Sequence, residues 1–380
     1  MNVIPTNKES FSNINPKGDT PLKIITDKKE ITPILIEEIL NETKSLEKVK
    51  VREIKITRTQ STNTSDICFI QVKYSIESPK TAPKRLFLKM SNLSFPELGK
   101  KEVFFYNTVA NQMGELPLIP CYDAKYDVNT GRSHILLEDI SKTHFRTEYP
   151  IPPSDINCNR HIEGLAKLHA LWWDDERLEE FAPKKKDYWC KYFDYEKEVK
   201  DLEKLVQNFL NFIGDRISKP SQNILNNSIE FYVNYVWQCH KDGKNLTLIH
   251  NDAHAWNALY PKDDIDGKLY FCDWQSVTVF KGITDLAYFM GIHWHPERRK
   301  RLEKVLLRKY HEILEESGIT NYSWNDCYND YRSAIVALLY DCVIWQWSTK
   351  KIRAIVWWSH LERALRAFED LNCNELVKIE

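Results

Sequence analysis

The densest run of reactive side chains is Leu248-Ile-His250-Asn-Asp252-Ala-His254-Ala-Trp-Asn257, where an apolar stretch delivers His, Asp and Asn in the pattern H-x-D-x-x-x-x-N. A second apolar stretch, Leu269-Tyr-Phe-Cys, ends on Asp273. Two acids and one amide at neighbouring strand ends suit a hard cation. Mg2+ prefers such oxygen ligands and completes its shell with water and phosphate oxygens. The reaction these parts serve is phosphoryl transfer, whose transition state needs charge neutralisation and alignment more than covalent help from the protein. In that chemistry Asp252 accepts or orients the proton of an attacking hydroxyl, while Asn257 and Asp273 hold metal against the donor phosphates. His250 braces the loop. A motif of three fixed positions also arises by accident, and Asp at a strand end is common in ordinary turns. Independent features must therefore agree.

They are found upstream. Lys89 ends an apolar strand, and thirteen residues later Glu102 falls near the start of a helix, in Lys-Lys-Glu102-Val-Phe-Phe-Tyr106. A strand lysine followed by a helix glutamate is the ion pair that positions nucleotide phosphates in kinase-like sites. The plain alternatives are a solvated strand end and a helix-dipole partner.

The elements that must position these groups follow from pattern. Residues 1–20 are polar and aperiodic and read as a flexible tail. Thr32 caps a helix with Pro33 at its first position and Leu35, Ile36, Ile39 and Leu40 on its apolar face. Strands are expected at 51–56, 67–74, 85–90 and 134–140, with a hydroxyl-rich turn over Thr57–Asp66 and a helix around Gly99–Gln112. Pro150, Pro152 and Pro153 mark a connector. Beyond it, helical periods are expected around Ile162–His169 and at 194–213, 221–241, 297–316 and 326–370, with one β interruption at 246–273. The prediction is an α+β chain: a small antiparallel-sheet lobe that binds nucleotide over 21–140, a connector at 141–153, and a helical lobe over 154–380 carrying the catalytic loop and acceptor site.

At this point the sequence resembles a family, the aminoglycoside phosphotransferase and choline kinase-like enzymes with their ecdysteroid-kinase-like relatives. The resemblance runs from about Ile31 to near Ala367. It rests on HNDAHAWN at 250–257, CDWQ at 272–275, Gly282-Ile-Thr-Asp285-Leu-Ala287 and Leu165-Ala-Lys-Leu-His-Ala-Leu-Trp-Trp173. It implies a two-lobed protein-kinase-like fold and transfer of the γ-phosphate of ATP, or GTP, to a small-molecule hydroxyl. Asp252 matches the catalytic aspartate, Asn257 and Asp273 the metal ligands, Lys89 the phosphate-binding lysine and Glu102 its partner. Residues 135–140 resemble the strand entering the interlobe hinge, which adds Glu138 and Ile140 to the nucleotide-contacting set. Two departures stand out. Asn251 occupies a position usually held by Gly, and the loop expected to cover the donor phosphates is glycine-free, with Ser61, Thr62, Asn63 and Thr64 as its polar groups. Backbone N–H groups and hydroxyls can still face phosphate from such a loop.

Acceptor recognition is expected in the helical lobe, with His254, His293, Asp341 and Trp345 as candidates. Aromatic residues at helical spacing more often form core, and a metal reading of His293 and His295 fails for want of a third ligand. Composition excludes other classes. The 53 Lys+Arg and 54 Asp+Glu of 380 residues give a formal net charge of −1, so no whole-protein basic field draws nucleic acid or anionic membrane. The longest apolar run, near Ser333–Trp345, is too short to span a bilayer and contains Asp341. Nine scattered cysteines without a CxxC pair fit a reducing cytoplasmic setting. DWQ in place of DFG, and no arginine in the catalytic loop, argue against a protein kinase. The competing readings are a catalytically silent nucleotide- or metabolite-binding module and a protein kinase with atypical motifs.

Overall fold

The computed structural model describes residues 23–43, 46, 48–62, 64–114, 116, 118–181, 193–263, 267–347 and 353–377. The expected 1–20 tail lies outside these residues. Contacts divide the described chain into two units, one formed by residues up to 146 with 257–277, the other by 147–256 with 278–377. The dividing point between Trp256 and Asn257 falls inside the H-x-D-x-x-x-x-N pattern. Asn257 and Asp273 thus fold with Lys89 and Glu102, and Asp252 folds with the helical unit.

The first unit is built on alternation. Strands β1 (Val51–Ser61), β2 (Ser65–Tyr74), β3 (Arg85–Ser91), β4 (Cys121–Tyr126) and β5 (Ser133–Glu138) form one antiparallel sheet in the order β1-β2-β3-β5-β4. Cys68, Ile70 and Val72 of β2 and Leu86, Leu88 and Met90 of β3 alternate into one core. Helix α1 (Pro33–Glu42) adds Leu35, Ile36, Ile39 and Leu40 to it, with the Thr32 hydroxyl capping Leu35 N–H at 3.2 Å. Because side chains alternate across a strand, Lys89 projects from the face opposite Leu88 and Met90. Helix α2 (Pro96–Phe104) packs near β5 and continues through a π-helical turn over Phe105–Val109.

Two features of this sheet depart from expectation. The stretch 57–66 is mostly strand, with Ser61 opposite Asp66: β1 continues to Ser61 and β2 begins at Ser65. Its Thr, Arg and Gln residues are exposed and alternate with nothing apolar, which hid an extended segment that β-branched Thr tolerates well. Strand β4 was not foreseen either, because only Ala124 of CYDAKY is buried.

The second unit is mainly helical. Its helices include Asp155–Leu171, Tyr195–Ile213, Lys219–Asn227, Ile229–Asp242, Pro296–Glu316, Trp324–Trp347 and Ala354–Asp370. The helix expected over 221–241 is two, meeting at Ser228. The span 326–370 is likewise two, since Arg353 has extended backbone before the second. A short ladder pairs Thr247–Ile249 with Thr278–Phe280 and lies at either end of the departure of residues 257–277 to the other unit. Ala334–Tyr340 is buried on every side, the pattern of a helix enclosed by neighbours. Among the described residues, no helix is long and apolar enough to cross a membrane.

Candidate active site

In the helical unit, the loop after Thr247–Ile249 carries Asp252, and a single carboxylate holds that loop. Asp285 accepts from the backbone N–H of His250 (Oδ2, 2.7 Å) and of Asn251 (Oδ1, 2.8 Å). His169 Nε2 donates to the same Asp285 (3.3 Å), and its Nδ1 lies 3.0 Å from the Tyr310 hydroxyl, so the ring is held at both nitrogens. Gly282 makes room for this pair, because a Cβ there would meet His169 Nδ1 and Tyr310 Oη at 2.7 Å each. From another side His161, fully buried and stacked on Phe289 at 3.9 Å, donates Nε2–H to the Ala253 carbonyl (3.0 Å). Burial pushes the His161 imidazole down to about 3, so it stays neutral. Asp252 itself accepts from the Tyr288 hydroxyl (Oδ1, 3.1 Å), and His254 Nε2 lies 3.6 Å from the same oxygen. Burial, with the Asp252 charge, raises the Tyr288 phenol far above its ordinary range, so it remains a donor.

In the sheet unit, Lys89 Nζ sits 2.6 Å from Glu102 Oε2 and 2.6 Å from Asp273 Oδ1. Burial alone would lower the lysine, but the two carboxylates hold it above its ordinary range, so it is charged. Glu102 is buried, and the Trp274 backbone N–H also donates to it. The Trp274 ring stacks on Phe105 at 4.0 Å, tying the segment after Asp273 to the helix that bears Glu102. Asp273 adopts φ 67°, a left-handed conformation that Asp enters more readily than most residues. The hairpin of Ala258–Pro261 and Tyr270–Phe271 brings Asn257 and Asp273 to one end of a ladder, with Cys272 N–H donating to the Asn257 carbonyl at 2.9 Å. A small cleft beside these groups is lined by Thr64, Lys89, Gly99, Glu102 and Gln275 among others. The amide oxygen of Asn257 and the carboxylate of Asp273 are hard donors, and Asp273 already faces a cation in Lys89. That donor chemistry fits Mg2+.

The model of the ecdysteroid kinase-like family matches residues 56–320, well over half of the chain. The chain belongs to the ecdysteroid kinase-like family. Comparison with curated protein sequences gives no match. Among solved structures the chain is similar to the choline kinase LicA from Streptococcus pneumoniae (14% identity, 89% of this chain and 98% of that one, TM-score 0.48). It is also similar to a spectinomycin phosphotransferase in complex with ADP and spectinomycin (11%, 90% and 99%, 0.45) and to a microcompartment-associated aminopropanol kinase (10%, 90% and 97%, 0.44). The α+β architecture and the family assignment agree with the kinase-like fold expected from the motifs.

Within this ecdysteroid kinase-like chain the remaining expected residues fall as follows. Ser61 Oγ donates to Asp66 (2.6 Å), and the Thr62 amide and hydroxyl both donate to the Ser65 carbonyl (2.8 and 3.0 Å). Those hydroxyls tie the turn together, Thr64 reaches the cleft, and Asn63 lies outside the described residues. Glu138 accepts from the Tyr122 hydroxyl (3.3 Å), and the Ile140 carbonyl accepts from Thr143 and His144 N–H. Of the acceptor candidates, His254 and His293 are ring neighbours at 5.5 Å, and Trp345 meets Tyr288 edge-on at 6.4 Å. Asp341 is buried, and its charge helps raise the Tyr288 phenol. Sequence reasoning missed Tyr288, whose hydroxyl reaches Asp252, and did not foresee that the Asp285 carboxylate holds the loop bearing Asp252. The GITD spacing was visible; its target was not.

Proposed function

We propose that this protein is an ATP- and Mg2+-dependent phosphotransferase whose acceptor is a hydroxyl of a small molecule. The observation that carries the reading is Lys89 bridging Glu102 and Asp273 at 2.6 Å each, since this joins a strand lysine to the carboxylate that follows a distant hairpin. Phosphoryl transfer needs a fixed cation at the donor phosphates and an acid that handles metal beside it. Asn257 and Asp273 would hold the ion, which when bound neutralises phosphate charge. Asp252, aimed by Tyr288 and by the loop clamped to Asp285, orients the acceptor hydroxyl and takes its proton as the new P–O bond forms and the bond to ADP breaks. Glu102 keeps Lys89 extended toward the phosphates. A cytoplasmic setting belongs to the same proposal.

Mass spectrometry of a metabolite extract incubated with the protein and γ-labelled ATP tests it. The expected result is label in a small-molecule product that disappears with Asp252→Ala. Nucleotide binding with no labelled product would instead mark a silent module. Labelled polypeptide would mark a protein kinase.

A further inference from the structure

His360 lies on the helix Ala354–Asp370, is 2% exposed, and has no hydrogen-bond partner among the described residues at either ring nitrogen. A neutral imidazole carries one donor and one acceptor, and native interiors rarely leave both unmet. Its surroundings are rings: His293 at 4.5 Å and Trp345 at 5.6 Å between centroids. The file continues from His293 to Tyr288 (4.7 Å), Trp256 (5.4 Å) and His254 (5.5 Å), whose Nε2 stands 3.6 Å from Asp252. Two further buried atoms along it, His254 Nδ1 and Trp256 Nε1, also lack partners among the described residues. Unmet polar atoms strung between the catalytic carboxylate and a buried imidazole call for a guest with oxygens of its own.

The charge of that guest follows from the cluster. Burial lowers the His360 imidazole to about 3 and holds His293 well below its usual value, and the Arg363 guanidinium reinforces both shifts. His293 Nδ1 donates to the Tyr288 carbonyl, and Arg363 donates to the carbonyls of Ile292 and His293. The His360 end therefore presents uncharged hydrogen-bonding groups beside one fixed cation. Of the nearby carboxylates, Asp252 accepts from the Tyr288 hydroxyl, and the charge of Asp341 helps raise that phenol.

We propose that His360 is a specificity-determining residue of the acceptor site, binding a second, uncharged oxygen of a molecule whose reacting hydroxyl meets Asp252. This rests on the phosphotransferase reading. It goes beyond it in excluding ammonium acceptors, and His360 lies outside the segment matched by the family model.

The test uses a metabolite extract separated by ion exchange into neutral, cationic and anionic fractions, each incubated with full-length protein and γ-labelled ATP. Labelled product from the neutral fraction is expected. With that fraction, His360→Phe should lower kcat/KM at least about tenfold, mainly through KM, while His360→Gln, which keeps a donor and an acceptor, stays within about threefold. The affinity for ATP and the melting temperature should match wild type in both. Product arising chiefly from a charged fraction overturns the proposal. So does wild-type behaviour of His360→Phe, or an equal loss in both variants, which would mark a merely structural residue. If His360→Phe fails to fold, His360→Leu takes its place and must show the same rise in KM; a wild-type KM in that variant overturns the proposal. No product from any fraction, with nucleotide still bound, defeats the phosphotransferase reading itself.

Discussion

Asn251 shows how much a single position can disclose. Glycine is usual there in the resembled enzymes, and the structure gives the reason: φ is 61°, and the N–H must point at Asp285. Asn is among the few non-glycine residues that enter this region readily. Asn251→Gly should leave stability nearly unchanged, whereas Asn251→Ala should cost about 1–2 kcal/mol by urea unfolding. Equal stability of the two variants would refute that explanation. At this scale the sequence singled out groups with a fixed interval or a strand end to mark them, namely Asp252, Asn257, Asp273, Lys89 and Glu102, of which the structure brings Lys89, Glu102 and Asp273 into contact. It did not disclose Tyr288 or His360. Each is one aromatic residue among many on an apolar helix face, and only tertiary packing aims it at Asp252 or leaves its nitrogens unmet.

At the scale of elements, local pattern served where burial alternates or turns with a fixed period. Strands β2 and β3 and the capped helix α1 were legible for that reason. Strand β4 and the far half of β1 were not: the side chains of β4 are mostly half-buried on both faces, and those of β1 beyond Ile56 are exposed. The split of 326–370 was hidden as well, since apolar residues continue on both sides of the extended Arg353. The loop bearing Asp252 depends on the four-residue helix Ile283–Leu286, whose Asp285 binds two loop amides and His169. Asp285→Ala leaves those buried donors unmet and should cost about 3 kcal/mol. It should also lower kcat by about tenfold or more. Asp285→Asn, which retains one acceptor oxygen, should fall between. Unfolding midpoints and initial rates on the three proteins decide the matter. An Asp285→Ala protein with the stability and kcat of wild type would show that the loop holds itself.

For the whole molecule, buried imidazoles set the acid limit. His161 and His360 are held near 3 in the folded state, against about 6.5 when unfolded. Between those values the unfolded chain binds protons that the native one does not, so stability is complete above about pH 6.5 and declines as pH falls toward 3. At pH 5 each group should remove about 2 kcal/mol, since one pH unit is worth about 1.4 kcal/mol. The urea midpoint should therefore drop clearly between pH 7 and pH 5; a flat midpoint would mean these rings are hydrated. The division of the chain between Trp256 and Asn257 has its own consequence: Asp252 is built by one core, and Lys89, Glu102, Asn257 and Asp273 by the other, so the proposed reaction requires both. The most direct measurement compares wild type with Asp252→Asn for label transfer from γ-labelled ATP to a small-molecule hydroxyl, with nucleotide affinity and melting temperature recorded on the same samples. The account predicts that transfer falls by about 10²–10⁴-fold while affinity and melting temperature hold. Transfer at the wild-type rate would contradict it.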